Sequence, residues 1–135
     1  MQRRSLNTLK NFLRSRANSL RKRPYLIRKF LNELVCLLGH EATVIVFGGR
    51  GSLDTIYSSE PRDLDLMVIV KDNVSKAEEL IYNVKPRTLP ADIIVLKLDT
   101  FNPCKGVLRN MLKKHIIIHD GLGIKSLIDK CVHVI

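Results

Sequence analysis

Long apolar runs are missing from this sequence. The longest, Leu34 to Leu38 and Leu66 to Val70, span five residues each, far short of the ~18–20 that a membrane-spanning helix needs. No repeat, low-complexity tract or linker interrupts the 135 residues, a length that fits one domain able to bury its own core. Cysteines are few: Cys36, Cys104 and Cys131, far apart and in no C-x-x-C pair. That set argues against a disulfide framework or a zinc site. It predicts buried or half-buried thiols in a reducing cytoplasm.

Acids are missing from the first thirty residues. Ten Lys and Arg stand there (Arg3, Arg4, Lys10, Arg14, Arg16, Arg21, Lys22, Arg23, Arg28 and Lys29), while the rest of the chain carries thirteen charges of each sign. The whole net charge of +10 therefore resides in an N-terminal arm. Such asymmetry points to nucleic acid (through residues 3–29), an acidic partner or anionic lipid; its plainer reading is a solvated helix face. Aromatic side chains for base stacking are scarce there, limited to Phe12, Tyr25 and Phe30. An acid-free, Arg-rich, Ser-containing start is also a feature of organelle transit peptides, but no cleavage boundary is visible.

Hydrophobic periodicity supplies the elements. Leu6, Leu9, Leu13 and Leu20, with Phe12 and Ala17, line one side of a helix over residues 5–22. Pro24 is expected to begin a second helix, striped by Leu26, Phe30, Leu34 and Leu37 and stopped by Gly39. The organisation predicted is thus a basic helical arm over 1–23 and a domain over 24–135.

The β-branched run Thr43 to Phe47 reads as a strand buried on both faces. A turn follows at Gly48-Gly49-Arg50-Gly51-Ser52, where Ser52 is placed to cap a short helix through Ser58. Alternation over 63–70 gives a second strand. Ser75 with Glu78 opens a helix to Tyr82, and 92–98 is a third strand. A helix over 102–114, a short strand over 116–119 and a helical piece over 125–131 complete an α/β (α+β) fold. It holds a small mixed sheet of about four strands flanked by helices. His40, His115, His119 and His133 have no Cys at metal-ligand spacing, and His115 and His119, four apart, lie on a strand where that spacing does not bring two rings onto one ion, so all four read as structural.

The chemistry lies between the first two strands. Residues two apart on a strand point to one face, so Asp63 and Asp65 project together while Leu64 and Leu66 enter the core. Paired carboxylates repel unless a cation lies between them, and Mg²⁺ takes a few carboxylates and fills its octahedron with water and phosphate oxygens. Glycines at 48 and 49 let backbone N–H groups approach a phosphate, and a helix N-terminus adds partial positive charge. Arg50 and the Ser52 hydroxyl could add a cation and a hydrogen bond.

Together these residues resemble the DNA polymerase beta-like nucleotidyltransferase superfamily, in particular its minimal nucleotidyltransferases. The family signature is a hydrophobic residue, Gly, then Gly or Ser, a gap of some nine to thirteen residues, and Asp-hydrophobic-Asp/Glu-hydrophobic. Here it is Phe47-Gly48-Gly49, the thirteen residues Arg50 to Arg62, and Asp63-Leu64-Asp65-Leu66. A second register, Gly51-Ser52 with a gap of ten, also fits. The first is preferred because Phe47 ends the strand, whereas Arg50 breaks the hydrophobic position before Gly51. Asp92, at the start of the third strand, matches the family's third carboxylate better than Asp99 does, and the tail through Asp120-Gly121 is similar to the family's ending.

The resemblance implies an enzyme that uses two Mg²⁺ ions and ATP or another NTP. Asp63 and Asp65 would hold one ion on the nucleotide phosphates. With Asp92 they would hold a second near the attacking hydroxyl, which Asp92 could help deprotonate. In-line attack on the α-phosphate would expel pyrophosphate. Some members of the family are antitoxins that modify a small helical toxin. In the preferred register Gly49 replaces the usual serine, so a hydroxyl for the terminal phosphate comes from Ser52 or is absent. The different reading is a binding module that keeps the fold and holds RNA, DNA or a partner protein through its basic arm.

Overall fold

The computed structural model describes residues 2–132, and side chains from residue 7 onward. Arg3, Arg4 and Leu6 of the basic arm, and His133, fall outside the described side chains.

One helix, α1 (Gln2–Leu38), runs through both of the helices expected on either side of Pro24. Proline at an interior position removes the N–H that would bond the carbonyl of Leu20. The flanks compensate: Arg, Lys, Leu and Ala are good helix formers. The C-terminal part is fixed by Ile27, Phe30, Leu31 and Leu34, all essentially without solvent exposure.

Four strands follow: β1 (Ala42–Phe47), β2 (Leu64–Val70), β3 (Ala91–Lys97) and β4 (His115–Asp120). They form one mixed sheet in the order β3-β2-β1-β4. β1 is antiparallel to both β2 and β4, and β2 is parallel to β3. The helices are α2 (Val74–Val84), α3 (Gly106–Met111) and α4 (Lys125–Cys131). This is the mixed α/β architecture expected, a four-stranded sheet flanked by helices with a long N-terminal helix.

Strand alternation divides the core in two. Val44, Val46, Leu64, Leu66 and Val68 pack with α1 and with Ala77 and Ile81 of α2. Ile45, Phe47, Met67 and Ile69 face the other way, onto Phe101, Leu112 and Ile128. β1 is buried at all six positions, as its unbroken apolar run predicts.

Several local expectations are corrected. Residues 52–58 are a succession of turns rather than a helix, for a reason given below. α2 is capped by Asn73, whose side chain accepts from the Lys76 N–H at 3.2 Å, not by a Ser75–Glu78 box. The helix expected over 102–114 shrinks to Gly106–Met111 because the Asn102 side chain accepts from the Cys104 N–H and turns the chain. Cys104 and Cys131 are joined in a disulfide that ties this turn to the end of α4. Cys36 is free and exposed. The expectation of three unpaired, sheltered thiols therefore fails. Spacing along the chain carries no sign that these two segments share one face of the sheet.

Beyond the glycine turn, Asp120 organises the opposite end of β4. Its carboxylate accepts from the Thr43 hydroxyl at 2.9 Å and from the N–H groups of Ile124 and Lys125 at 2.9 and 3.0 Å. It thereby anchors the start of α4. No helix among the described residues is long and apolar enough to cross a membrane.

Candidate active site

The three carboxylates picked out by the motif come to one end of the sheet. In the β1–β2 register Phe47 lies opposite Asp65, and in the β2–β3 register Asp65 lies opposite Asp92. Asp65 shares the parity of Met67 and Ile69, so it stands on the α4 face; Leu64 and Leu66 turn to the α1 face and are buried. Asp63 immediately precedes β2 and is exposed, as is Asp92. Asp99, the alternative third carboxylate, lies in the turn Leu98–Thr100 after β3 and pairs with Lys97 at 3.6 Å. It is at the far end of that strand.

Asp65 is the electrostatic centre. Burial pushes its carboxyl above the ordinary carboxylate value, and the nearby charges of Asp92 and Asp63, with a hydrogen bond to Asp92, push it further. Crowding of this kind is relieved by a cation. The donor set is all carboxylate oxygen, which fits Mg²⁺ and not a soft metal. Among the described residues no group of three His, Cys, Asp or Glu side chains is already gathered around a metal position.

The glycine turn is moulded to that carboxylate. Gly48 has a left-handed φ of 70°, and a Cβ placed on it would meet Asp65 Oδ2 at 2.5 Å. Its N–H is already used, donating to the carbonyl of Lys114 at 3.2 Å. Gly51 answers a different need: a Cβ there would strike the Lys114 carbonyl at 2.5 Å. Of the two glycine registers, the first sets Gly48 against Asp65, with Gly49 beside Arg62. Gly51-Ser52 is set against the backbone at the entry to β4.

Arg50 and Ser52, both expected at a phosphate, are placed differently. Arg50 has no solvent exposure. Its guanidinium donates to the carbonyls of Arg62 (3.0 Å), Ser58 (2.8 Å) and Glu60 (2.9 Å), and at 3.3 Å to those of Thr55 and Ile56. The carbonyls of Thr55, Ile56 and Ser58 thus turn toward this one side chain, and the segment winds around it as turns rather than continuing as a helix. The site consequently lacks the helix dipole expected from that segment. Burial lowers the Arg50 pKa, and the charges of Arg23 and Arg62 lower it further, against the opposing pull of Glu60 and Asp63. The Ser52 hydroxyl is shared with Thr55 Oγ1 at 2.7 Å.

A cation not singled out from the sequence does lie at the turn. Arg62 donates to the Gly49 carbonyl at 3.2 Å and pairs with Glu60 at 2.8 Å, and it is exposed. The only signal for it was adjacency to Asp63. Helix α1 braces the same loop, for Arg28 stacks 3.8 Å from the centre of the Tyr57 ring. Arg23 reaches the Glu60 and Arg62 carbonyls at 3.5 Å. His115 and His119 bond to the carbonyls of Leu112 and Gly39, the structural use expected of them.

No protein-family model matches this chain, and no curated protein or solved structure matches it either.

Proposed function

We propose that the protein is a nucleotidyltransferase of the DNA polymerase beta-like kind, moving a nucleoside monophosphate, AMP from ATP, onto a hydroxyl of a protein or nucleic-acid acceptor. One observation carries the reading. Asp65 lies in register with Phe47, which leads into Gly48, on one neighbouring strand and with Asp92 on the other, which supports reading the glycine turn and the carboxylates as one site. Bound Mg²⁺ would supply charge neutralisation at the phosphates and at the attacking oxygen.

The chain's own residues divide the rest of the work. Asp63 and Asp65 are the ligands nearest the turn; Asp92, exposed and opposite Asp65, is the group placed to accept the proton of an incoming hydroxyl. The glycines at 48 and 49 keep side-chain bulk away from the phosphates. Arg62, rather than the interior Arg50, offers them a cation. A small helical partner protein, as in toxin–antitoxin pairs, is one acceptor in keeping with the resemblance.

The test is transfer of label from α-³²P-ATP to candidate protein and RNA acceptors in the presence of Mg²⁺, beside a D63N/D65N variant. Incorporation by the native chain that is lost in the variant is the expected result. Incorporation that persists unchanged in the variant rejects the site.

A further inference from the structure

Helix α1 leaves the domain at the end of the sheet that carries the carboxylates. Its last residues lead through Gly39–Glu41 into Ala42, the end of β1 remote from Phe47 and Asp65. Earlier residues of the helix therefore lie toward the site. Arg23 marks the passage, donating at 3.5 Å to the carbonyls of Glu60 and Arg62. Arg62 in turn bonds the Gly49 carbonyl and immediately precedes Asp63. From Asn7 to Leu26 no residue of α1 is buried, and Lys10 stands about 20 Å along the axis beyond Arg23.

One flank of this projecting helix carries an ordered row. At about 100° per residue, Lys10, Arg14, Arg21, Tyr25 and Arg28 fall within about 60° of one another. The row stands about 130° around the axis from the centre of the stripe Ile27, Phe30, Leu31 and Leu34 that seats the helix. All five side chains are exposed, Tyr25 by 64 %. Among the described residues Lys10, Arg14 and Arg21 form no ion pair, and the first thirty residues hold no acid. Of the aromatic rings in this stretch Phe30 is buried and Phe12 is on the opposite side of the helix, so Tyr25 is the ring that joins the row. Arg28, at the inner end, is stacked 3.8 Å from the centre of the Tyr57 ring, in the loop that runs on to Arg62 and Asp63. Cations and a ring thus line one flank for about 27 Å and stop beside the site.

Spaced Lys and Arg neutralise successive phosphates of a nucleic-acid backbone, and an exposed ring gives a base a stacking face. An acidic peptide or an anionic bilayer would match the charge alone. Nucleic acid answers both ends of the row, with phosphates for the cations and a terminal sugar hydroxyl for a site read as transferring a nucleotide to a hydroxyl. A single strand, unlike a duplex, has unstacked bases free to meet Tyr25.

We infer that the acceptor is a single-stranded nucleic acid, laid along the Lys10–Arg28 flank of α1 with its terminal hydroxyl at Asp92. This rests on the transferase reading above. The hydroxyl oxygen forms a new ester bond to the α-phosphorus of ATP as the bond from that phosphorus to the β-phosphate oxygen breaks. Pyrophosphate leaves, the proton passes to Asp92, and the strand ends one nucleotide longer.

The test follows a fluorescein-labelled strand of about 16 nucleotides, as RNA and as DNA, by anisotropy with the full chain and no ATP, then its extension with α-³²P-ATP and Mg²⁺. Saturable, salt-dependent binding of one or both is expected, with label on the strand that is lost when the terminal sugar lacks its free hydroxyls. K10Q/R14Q/R21Q should weaken binding at least tenfold and lower the slope of log affinity against log salt by about two. Y25A should weaken it at least about fivefold with the slope unchanged. L9S/F12S/L13S, outside the row, should bind as the native chain does. All these positions are exposed, so circular dichroism melting should be unchanged; if one row variant fails to fold, the other decides. The inference is overturned if neither strand binds, if binding is indifferent to both row variants, or if a protein acceptor is labelled and the bound strand is not. A preference of the row for phosphatidylserine vesicles or a poly-glutamate peptide over the strand, at equal ionic strength, overturns it too. Failure of the transferase reading has a different signature: the strand still binds through the row, but no acceptor is labelled or D63N/D65N labels it equally, leaving the row as a docking site only.

Discussion

Gly48 and Asp65 are fitted to one another: the glycine has a φ of 70°, and the space its missing Cβ leaves is filled by the Asp65 carboxylate, whose Oδ2 would lie 2.5 Å from that atom. Gly48→Ala should therefore displace Asp65 as well as strain the turn. A left-handed Ala costs about 1–2 kcal/mol. The expected outcome is a fall in melting temperature together with a loss of transfer of at least ~10²-fold. Gly49→Ala is the control for stability, since its Cβ would make only ordinary contact with Arg62 and should leave the melting temperature unchanged; a variant at 48 with undiminished transfer would show that the turn and the carboxylate are unrelated.

Asp65→Asn should separate activity from stability. An unfolded Asp ionises near 3.9, and Asp65 in the fold is held above its ordinary value by burial and by Asp92 and Asp63. Ionisation therefore favours the unfolded chain. The penalty is absent below the unfolded pKa, grows as pH rises, and is complete above the folded pKa. Metal-free Asp65→Asn should melt higher than the native chain at pH 7–8 and level with it near pH 3, while losing ~10²-fold or more of the transfer rate. Mg²⁺ should raise the melting temperature of the native chain and leave the variant unmoved.

Arg50→Met tests whether a side chain first expected at a phosphate is an internal clasp. Removing the guanidinium takes a shared donor from five loop carbonyls; those of Thr55, Glu60 and Arg62 keep other donors, whereas those of Ile56 and Ser58 are left without one, and each buried unsatisfied group costs about 1–3 kcal/mol. Urea unfolding should show a loss of at least ~2 kcal/mol, and limited proteolysis should cut between residues 52 and 62. Arg62→Gln should do neither, and should raise the KM for ATP. A clasp variant with native stability and only a raised KM would return Arg50 to the phosphate.

Asp120 sets the acid limb. Burial opposes its charge, but the N–H groups of Ile124 and Lys125, the Thr43 hydroxyl and the Gly123 N–H outweigh that and hold its carboxyl below the ordinary value. The stability it lends is present above the unfolded pKa, near 3.9, and is lost as pH falls through the folded one. Asp120→Asn should cost about 1–2 kcal/mol at pH 7, and its deficit should shrink in melts taken below about pH 4.

Thiol titration of the denatured chain should find one reactive group, Cys36, before reduction and three after it. The bridge closes a separation of 27 residues, for which chain entropy predicts a loss of about 3–4 kcal/mol on reduction. Three free thiols in protein prepared without reductant would refute the pairing.

Alternation and β-branching made the sheet readable. Val44 to Phe47 and Leu64 to Val70 lie where their patterns put them, and the same alternation sets Asp65 on the face opposite Leu64 and Leu66. Asp92 could be ranked above Asp99 because strand starts and strand ends are distinguishable from local pattern. What local pattern cannot carry is convergence from afar. The pairing of Cys104 with Cys131, the gathering of loop carbonyls by Arg50 and the use of Asp120 as a remote anchor all depend on contacts between segments that share no periodicity. Pro24 misled for the opposite reason: its local cost is real, but one helix seated on Ile27 and Phe30 outweighs a single lost hydrogen bond.

Because α1 is unbroken from Gln2 to Leu38, the direction in which its free end faces is a matter of counting. Removing one residue between Leu20 and Ile27 would swing Leu9, Phe12 and Leu13 by about 100° around the axis, away from the side occupied by the sheet. Removing a block of seven would restore their bearing to within about 20° while drawing them some 10 Å closer to the domain. The arm is in effect a dial whose setting is written in chain length.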